Sequence, residues 1–405
     1  MADLRRSQWL DLASLDLRRE APGPRRKWPI ATAVLVLLLV APFALWYVLP
    51  RQAPGVVILD KTVPRADWRE HLRLSWWLTH RRVPTAAGGW WDATQDYVGW
   101  DPVARAGRLL DDRALAGARL AYLADAYGVY SADTARDGVA PTGPAALVRS
   151  TPVFAGVTLG EAQALAAFRA RGGAVVAEFN VLESPTAGTP AAEVLEQLFG
   201  VRYQGWIGRT YDDLASDDEI PAWMRAKWQR RHRTPWSFRG PGTVVFSERD
   251  DRIAVILREQ VAGPHALTLE VDRPLDPLMR GVQGGAGYGY WVSGLAPGDS
   301  AVTVASWQFH VDSAAQWLLR HEDFPLRFPA VVRRTSGPLA AYVTADIADV
   351  PTTPPYVQRS VGLDWWRARH VQGGTGADGE LDFFWRVVAP LWDSALRLAT
   401  PPRAR

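Results

Sequence analysis

The sequence predicts an α/β protein: a transmembrane helix near the amino terminus, a mostly parallel sheet, and a β-rich carboxy-terminal extension or second domain. Three observations carry this expectation. Residues 29–49 form an uncharged run of about 21 residues, enough to cross ~30 Å of hydrocarbon as a helix. Three later runs, VVILD at 56–60, ARLAYLAD at 118–125 and AVVAEFN at 174–180, are apolar without alternation, as strands buried on both faces are. Between the last two lies a capped helical pattern, and strand–helix–strand implies parallel strands with a right-handed crossover.

The elements follow in order. Residues 1–28 form a basic tail with seven cations and four acids, and Arg25, Arg26 and Lys27 abut the apolar run. That flank predicts a single-pass signal anchor with the tail cytoplasmic and the rest extracytoplasmic, a cleaved signal peptide being the alternative. Pro42 is tolerable within a membrane helix, and Trp28, Trp46 and Tyr47 sit where interfacial aromatics belong. Beyond the span stand 39 basic and 39 acidic residues, so the net charge of +3 lies on the tail and nucleic acid is not an expected partner. The chain has no cysteine, which excludes disulfides, thiolate metal sites and a cysteine nucleophile.

Residues 50–260 read as one α/β domain. Thr158 and Glu161 form a capping box, Leu159, Ala162, Leu165, Ala166 and Phe168 follow at helical spacing, and Gly172-Gly173 supply the stop. Thr189-Pro190 begins another helix that ends near Gly200, and a further one covers 221–231. Residues 243–247 and 252–257 flank a polar turn and predict an antiparallel hairpin. Residues 261–405 read as the β-rich part, with strands at 266–271, 302–311, 327–333 and 339–346, a short helix at 313–320 and a Trp-rich helix at 383–398.

Ligands of open parallel sheets bind beyond the carboxyl ends of the strands. The residues there are Asp60 and Lys61, Asp125 with Tyr127, Glu178 with Asn180, and Asp346 with Asp349. Carboxylates brought into one crevice perturb each other's pKa and suit acid–base work or a hard cation, whereas each acid alone is an ordinary turn or cap residue. Glu178 lies inside an apolar strand, where a carboxylate needs a partner, and Lys61 is the expected one. Against 43 arginines the chain has three lysines and one asparagine, which singles out Lys61 and Asn180. No metal or cofactor is assigned from the sequence. The seven histidines lack metal-ligand spacing; His310, on a predicted strand, and His71, shortly after the first strand, are the two singled out.

Twenty tryptophans are far more than usual. Adjacent pairs at 76–77, 90–91 and 365–366 are not expected to share one core, so part of the set should line a groove, an interface or the membrane surface, unless it packs against guanidinium groups. Trp206 and Arg209, in GWIGR, are read as a loop offering one aromatic and one cation to a ligand.

VVILDK at 56–61, LAYLADAYGVY at 120–130 and GVTLGEAQALAAFRARGGAVVAEFN at 156–180 resemble the class I glutamine amidotransferase-like superfamily, including its trehalose-utilisation-type branch. The resemblance spans about 50–260 and implies a flavodoxin-like, doubly wound sheet with a site at its strand ends. Catalytic members use a cysteine with histidine and glutamate, so a chain without cysteine does not inherit that activity. Two functions follow as expectations. One is an accessory or binding protein of the cell envelope that recognises a polysaccharide or a membrane-protein partner of an export machine. The other is a glycan-active hydrolase with Glu178 as proton donor and Asp125 or Asp60 as its partner.

Overall fold

The computed structural model describes residues 28–51, 55–85, 88–133, 150–349, 358–362 and 377–400. The predicted pairs at 365–366 and the Pro-rich stretch at 354–355 lie outside them. Helix α1 (Trp28–Val48) is one apolar element, and its part Ile30–Val48 has mean hydropathy 2.3 and is long and apolar enough to cross a membrane.

Five strands run parallel in the order β2 (Val98–Asp101), β1 (Gly55–Asp60), β4 (Ala118–Asp125), β7 (Ala174–Ala177) and β16 (Ala340–Val343). The sheet continues antiparallel through β15 (Arg327–Arg334), β14 (Ala301–Phe309), β11 (Leu267–Val271) and β12 (Ala286–Tyr288), and β3 (Ala106–Gly107) closes the other edge. The chain after residue 260 thus supplies half of one ten-stranded sheet. A second, antiparallel sheet has the order β10 (Ile253–Leu257), β9 (Gly242–Ser247), β8 (Val201–Tyr211) and β13 (Val292–Pro297), and β5 (Val129–Tyr130) pairs with β6 (Pro152–Phe154).

The apolar runs are strands because both faces are covered. Val56, Ile58, Leu120, Tyr122 and Val176 pack on α2 (Arg69–His80) and on the carboxy-terminal helices α7 (Ala377–Phe383) and α8 (Ala389–Ala399), which a π-turn joins. Val57, Leu59, Ala121, Leu123 and Val175 pack on α3 (Leu159–Ala170), α4 (Pro190–Phe199) and the second sheet. Successive residues point to opposite faces, so each strand is hydrophobic throughout. The capping box of Thr158 and Glu161 is formed, Thr189 caps α4, and Gly200 ends it in the left-handed conformation at φ 69°. Helices α5 (Ala222–His232) and α6 (Ser313–His321) and the β9–β10 hairpin also match the sequence reading.

Two expectations are corrected. GWIGR is no loop: it lies within β8, and Trp206 is buried against Phe324 and Phe328 with ring centroids at 5.8 and 4.8 Å. Gly294 on the neighbouring strand makes the room, since a Cβ there would stand 2.1 Å from the indole. Trp76 and Trp77 are likewise both buried in one cluster, because α2 is enclosed on most of its circumference. Cation–π contacts such as Arg81 over Trp77 and Arg51 over Trp90, both at 4.3 Å, account for part of the aromatic excess.

Candidate functional site

The parallel strands β1, β4 and β7 end at one edge of the sheet, and the segment after β16 returns there. This brings Asp60, Asp125, Glu178, Asp346 and Asp349 together, all buried. Helix α2 adds Glu70 and His71 from its first turn. Lys61 does not join them. Its Nζ lies 2.6 Å from Glu161 Oε2 and donates to the Gly156 carbonyl at 2.7 Å, so the expected Lys61–Glu178 pair is replaced by a bond to the capping box of α3. The lysine side chain leaves β1 on the α3 side, away from the acids.

Each acid at a strand end is held by local donors. Asp60 accepts from Thr62 N at 2.8 Å and faces His71 Nδ1 at 2.5 Å. His71 Nε2 lies 2.8 Å from the Ala93 carbonyl, which only accepts, so Nε2 is the donor there. Asp125 accepts from Tyr127 N at 2.6 Å, Asn180 Nδ2 at 3.0 Å and the Thr62 hydroxyl. Asn180 stands at φ 69°, a left-handed conformation that asparagine tolerates, and this turns its amide toward Asp125. Glu178 accepts from Tyr122 OH at 2.9 Å and from Ile347 N and Ala348 N at 3.2 Å each. Trp392 Nε1 donates to the same Tyr122 oxygen at 2.9 Å, which ties α8 to the centre.

On the far side, Arg69 Nε lies 3.0 Å from Asp349 Oδ1, and Arg69 Nη2 lies 2.8 Å from Glu70 Oε1. Tyr290 OH donates to Asp349 at 3.1 Å. Asp346 differs from the rest: among the described residues no group donates to its carboxylate. Glu70, Asp125 and Asp346 each offer one oxygen within 4.8 Å of the others, a spacing that could hold a cation.

Burial sets the electrostatics. It pushes the Asp125 carboxyl up to about 7, with the charge of Asp60 adding to it and the donors Asn180, Thr62 and Tyr127 N opposing it. Burial also lifts Glu70 and Asp346 well above the usual carboxylate range, reinforced in both by the neighbouring acids, Asp349 first. Glu178 is raised by burial against the pull of its three donors. Arg69 is raised by the charges of Glu70 and Asp349, which outweigh its own burial.

Beside the acids lies an aromatic surface. Tyr290, through Asp349, borders Arg209, whose guanidinium stands 5.0 Å from the Tyr211 and Tyr290 rings and 5.2 Å from Trp291. Trp291 stacks on Phe179, next to Asn180, at 5.8 Å. Tyr127 is exposed and packs on Tyr130 at 5.0 Å. Sequence reasoning missed Glu70, Tyr290 and Trp291. The signal for Trp291 was the run Tyr288-Gly289-Tyr290-Trp291, and for Glu70 its place shortly after the first strand. A cleft lined by Asp112, Arg119, Phe168 and Arg171 opens at the opposite, amino ends of β4 and β7.

No family model matches the chain, and no curated protein matches it. Among solved structures it is similar to a ThuA-like protein from Bacteroides uniformis at 9% identity and a TM-score of 0.33, over 82% of this chain and 98% of that one. A likeness at that score carries no argument about fold or function.

Proposed function

We propose that the protein is a membrane-anchored, extracytoplasmic accessory or binding protein of the cell envelope, recognising a polysaccharide or a partner of its export machinery without cleaving it. The observation that carries this reading is the commitment of the acids. Asp60, Asp125 and Glu178 are buried and spend their oxygens on the backbone and side chains that shape the strand ends. A glycosidase needs an acid and a base that face the substrate across a fixed gap. The flavodoxin-like reading is supported by the parallel order β2-β1-β4-β7-β16, which is 2-1-3-4-5 in chain order. Its switch point falls between β1 and β4, where Asp60 and Asp125 end.

The half-buried Trp291, Tyr290 and Arg209 offer flat faces and a cation beside that point, suited to sugar rings. The anchor reading is supported by the packing of Trp46, which is fully buried against the domain and donates to the His80 carbonyl at 3.0 Å. Cleavage after α1 would empty that socket. The basic residues of the tail favour its cytoplasmic placement.

The test uses the full chain in detergent micelles with isolated envelope polysaccharides. Retention without release of reducing ends, lost in Trp291→Ala, is expected. Release that disappears in Glu178→Gln would overturn the reading in favour of a hydrolase.

A further inference from the structure

We propose that Glu70, Asp125 and Asp346 form a binding site for one hard divalent cation. The three carboxylates come from the first turn of α2, the end of β4 and the segment after β16, and converge with one oxygen each within 4.8 Å of the others. Two ligands of a calcium ion stand at most about twice 2.3–2.6 Å apart, so the spacing fits that ion's coordination sphere.

A second observation is independent of the clustering. Asp346 is only 4% exposed, and among the described residues its carboxylate receives no hydrogen bond, although it points at Glu70 and Asp125. A buried carboxylate without a donor is costly and is ordinarily paired or bound to a metal. The neighbouring cations act on other acids. Arg69 reaches Glu70 and Asp349, the buried Arg73 feels Glu380 and Asp349, and Lys61 is bound to Glu161.

The donor set selects the kind of ion. All candidate ligands are carboxylate oxygens, and both ring nitrogens of His71 are engaged, with Asp60 and the Ala93 carbonyl. Oxygen-only ligation suits calcium, magnesium or manganese rather than zinc or copper. Asn180, Thr62 and Tyr127 N fix the Asp125 carboxylate as outer partners fix a metal ligand. This inference stands apart from the polysaccharide reading, because its readouts, ion retention and melting temperature, involve no polysaccharide.

The experiment strips the full chain in detergent with EDTA and equilibrates it with calcium, and separately with magnesium and manganese. Bound ion is counted after dialysis and the melting temperature is followed in parallel. One ion per chain is expected for at least one of the three, together with a higher melting temperature. Asp346→Asn and Glu70→Gln should each lower affinity at least tenfold, and the exposed Asp112→Asn should leave it unchanged. Asp346→Asn replaces a buried carboxyl that receives no donor by a neutral amide of the same shape, so it should fold without metal, and far-ultraviolet circular dichroism checks this. Absence of stoichiometric binding of all three ions, or binding equal in both variants and the unmodified chain, would overturn the proposal.

Discussion

Lys61 Nζ lies 2.6 Å from Glu161 Oε2, and both side chains are 1% exposed. The residue that follows the first strand is therefore part of the cap of α3. Glu161 also accepts from Thr158 N at 2.8 Å and Leu110 N at 3.1 Å, so one carboxylate joins β1, α3 and the loop before β4. Lys61→Met leaves that carboxylate buried without its counter-charge. Breaking such a pair costs about 3–5 kcal/mol. Urea unfolding of the full chain should show a loss of that order, and Lys61→Met with Glu161→Gln should recover part of it. A single variant as stable as the parent would show that the pair is not a stabilising contact.

A second expectation concerns pH. Glu183 is buried, and burial lifts its carboxyl to about 7 although Tyr342 OH donates to it at 2.9 Å and Leu182 N at 3.0 Å. Among the described residues its other oxygen, Oε1, makes no close hydrogen bond, and the nearby Ser293 hydroxyl opposes the shift. A carboxyl raised on folding binds its proton more tightly in the folded state. Its contribution is therefore fully present below about 4.5, the unfolded value, and is lost as pH rises through about 7. The shift corresponds to about 3 kcal/mol. Glu183→Gln keeps an acceptor for both donors and removes the charge. It should raise the melting temperature at pH 8, leave it nearly unchanged at pH 4, and flatten the profile between. An identical pH profile in the variant would rule Glu183 out as its source.

These two contacts show what the sequence makes legible. Lys61 and Asn180 stood out as rare residues at strand ends, and both are fixed by specific bonds. The strand runs at 56–60 and 118–125, the start of the run at 174–180, which is strand only to Ala177 so that Glu178 lies just past its end, and the cap of Thr158 were readable because periodicity and capping are local signals. The partner of Lys61 was not readable, because the side of the sheet on which its side chain leaves β1 depends on where β1 sits beneath α3.

Helix α2 was hidden for another reason. Glu70, His71, Arg73, Ser75, Thr79 and His80 are all buried in it, so it lacks the polar stripe by which a surface helix is recognised. Strand β8 was hidden by Gly205, at φ 78°, and Gly208, which imitate a loop. The acidic centre was half legible. Asp60, Asp125, Glu178 and Asp346 were marked by position, whereas Glu70 joins them through the packing of α2 alone.

The end of α1 supplies the last prediction. Trp46 is fully buried, its ring centroid lies 4.7 Å from that of Trp90, and Arg359 stands over it at 5.7 Å. Pro42 O accepts from Val361 N at 3.0 Å, one turn earlier on the same helix. The apolar helix and the domain are thus joined by packing and by hydrogen bonds at two turns. His80, whose carbonyl receives the Trp46 indole, closes the same helix whose first turn holds Glu70 and His71. Truncating a buried tryptophan to alanine costs about 3–5 kcal/mol. If the helix end is part of the folded domain, Trp46→Ala should lower the melting temperature of the full chain in micelles by several degrees. Trp46→Phe should lower it less, because it keeps most of the packing and loses only the bond to the His80 carbonyl. Equal melting of Trp46→Ala and the parent would mean that the domain is stable without the end of α1, and that α2 receives no support from it.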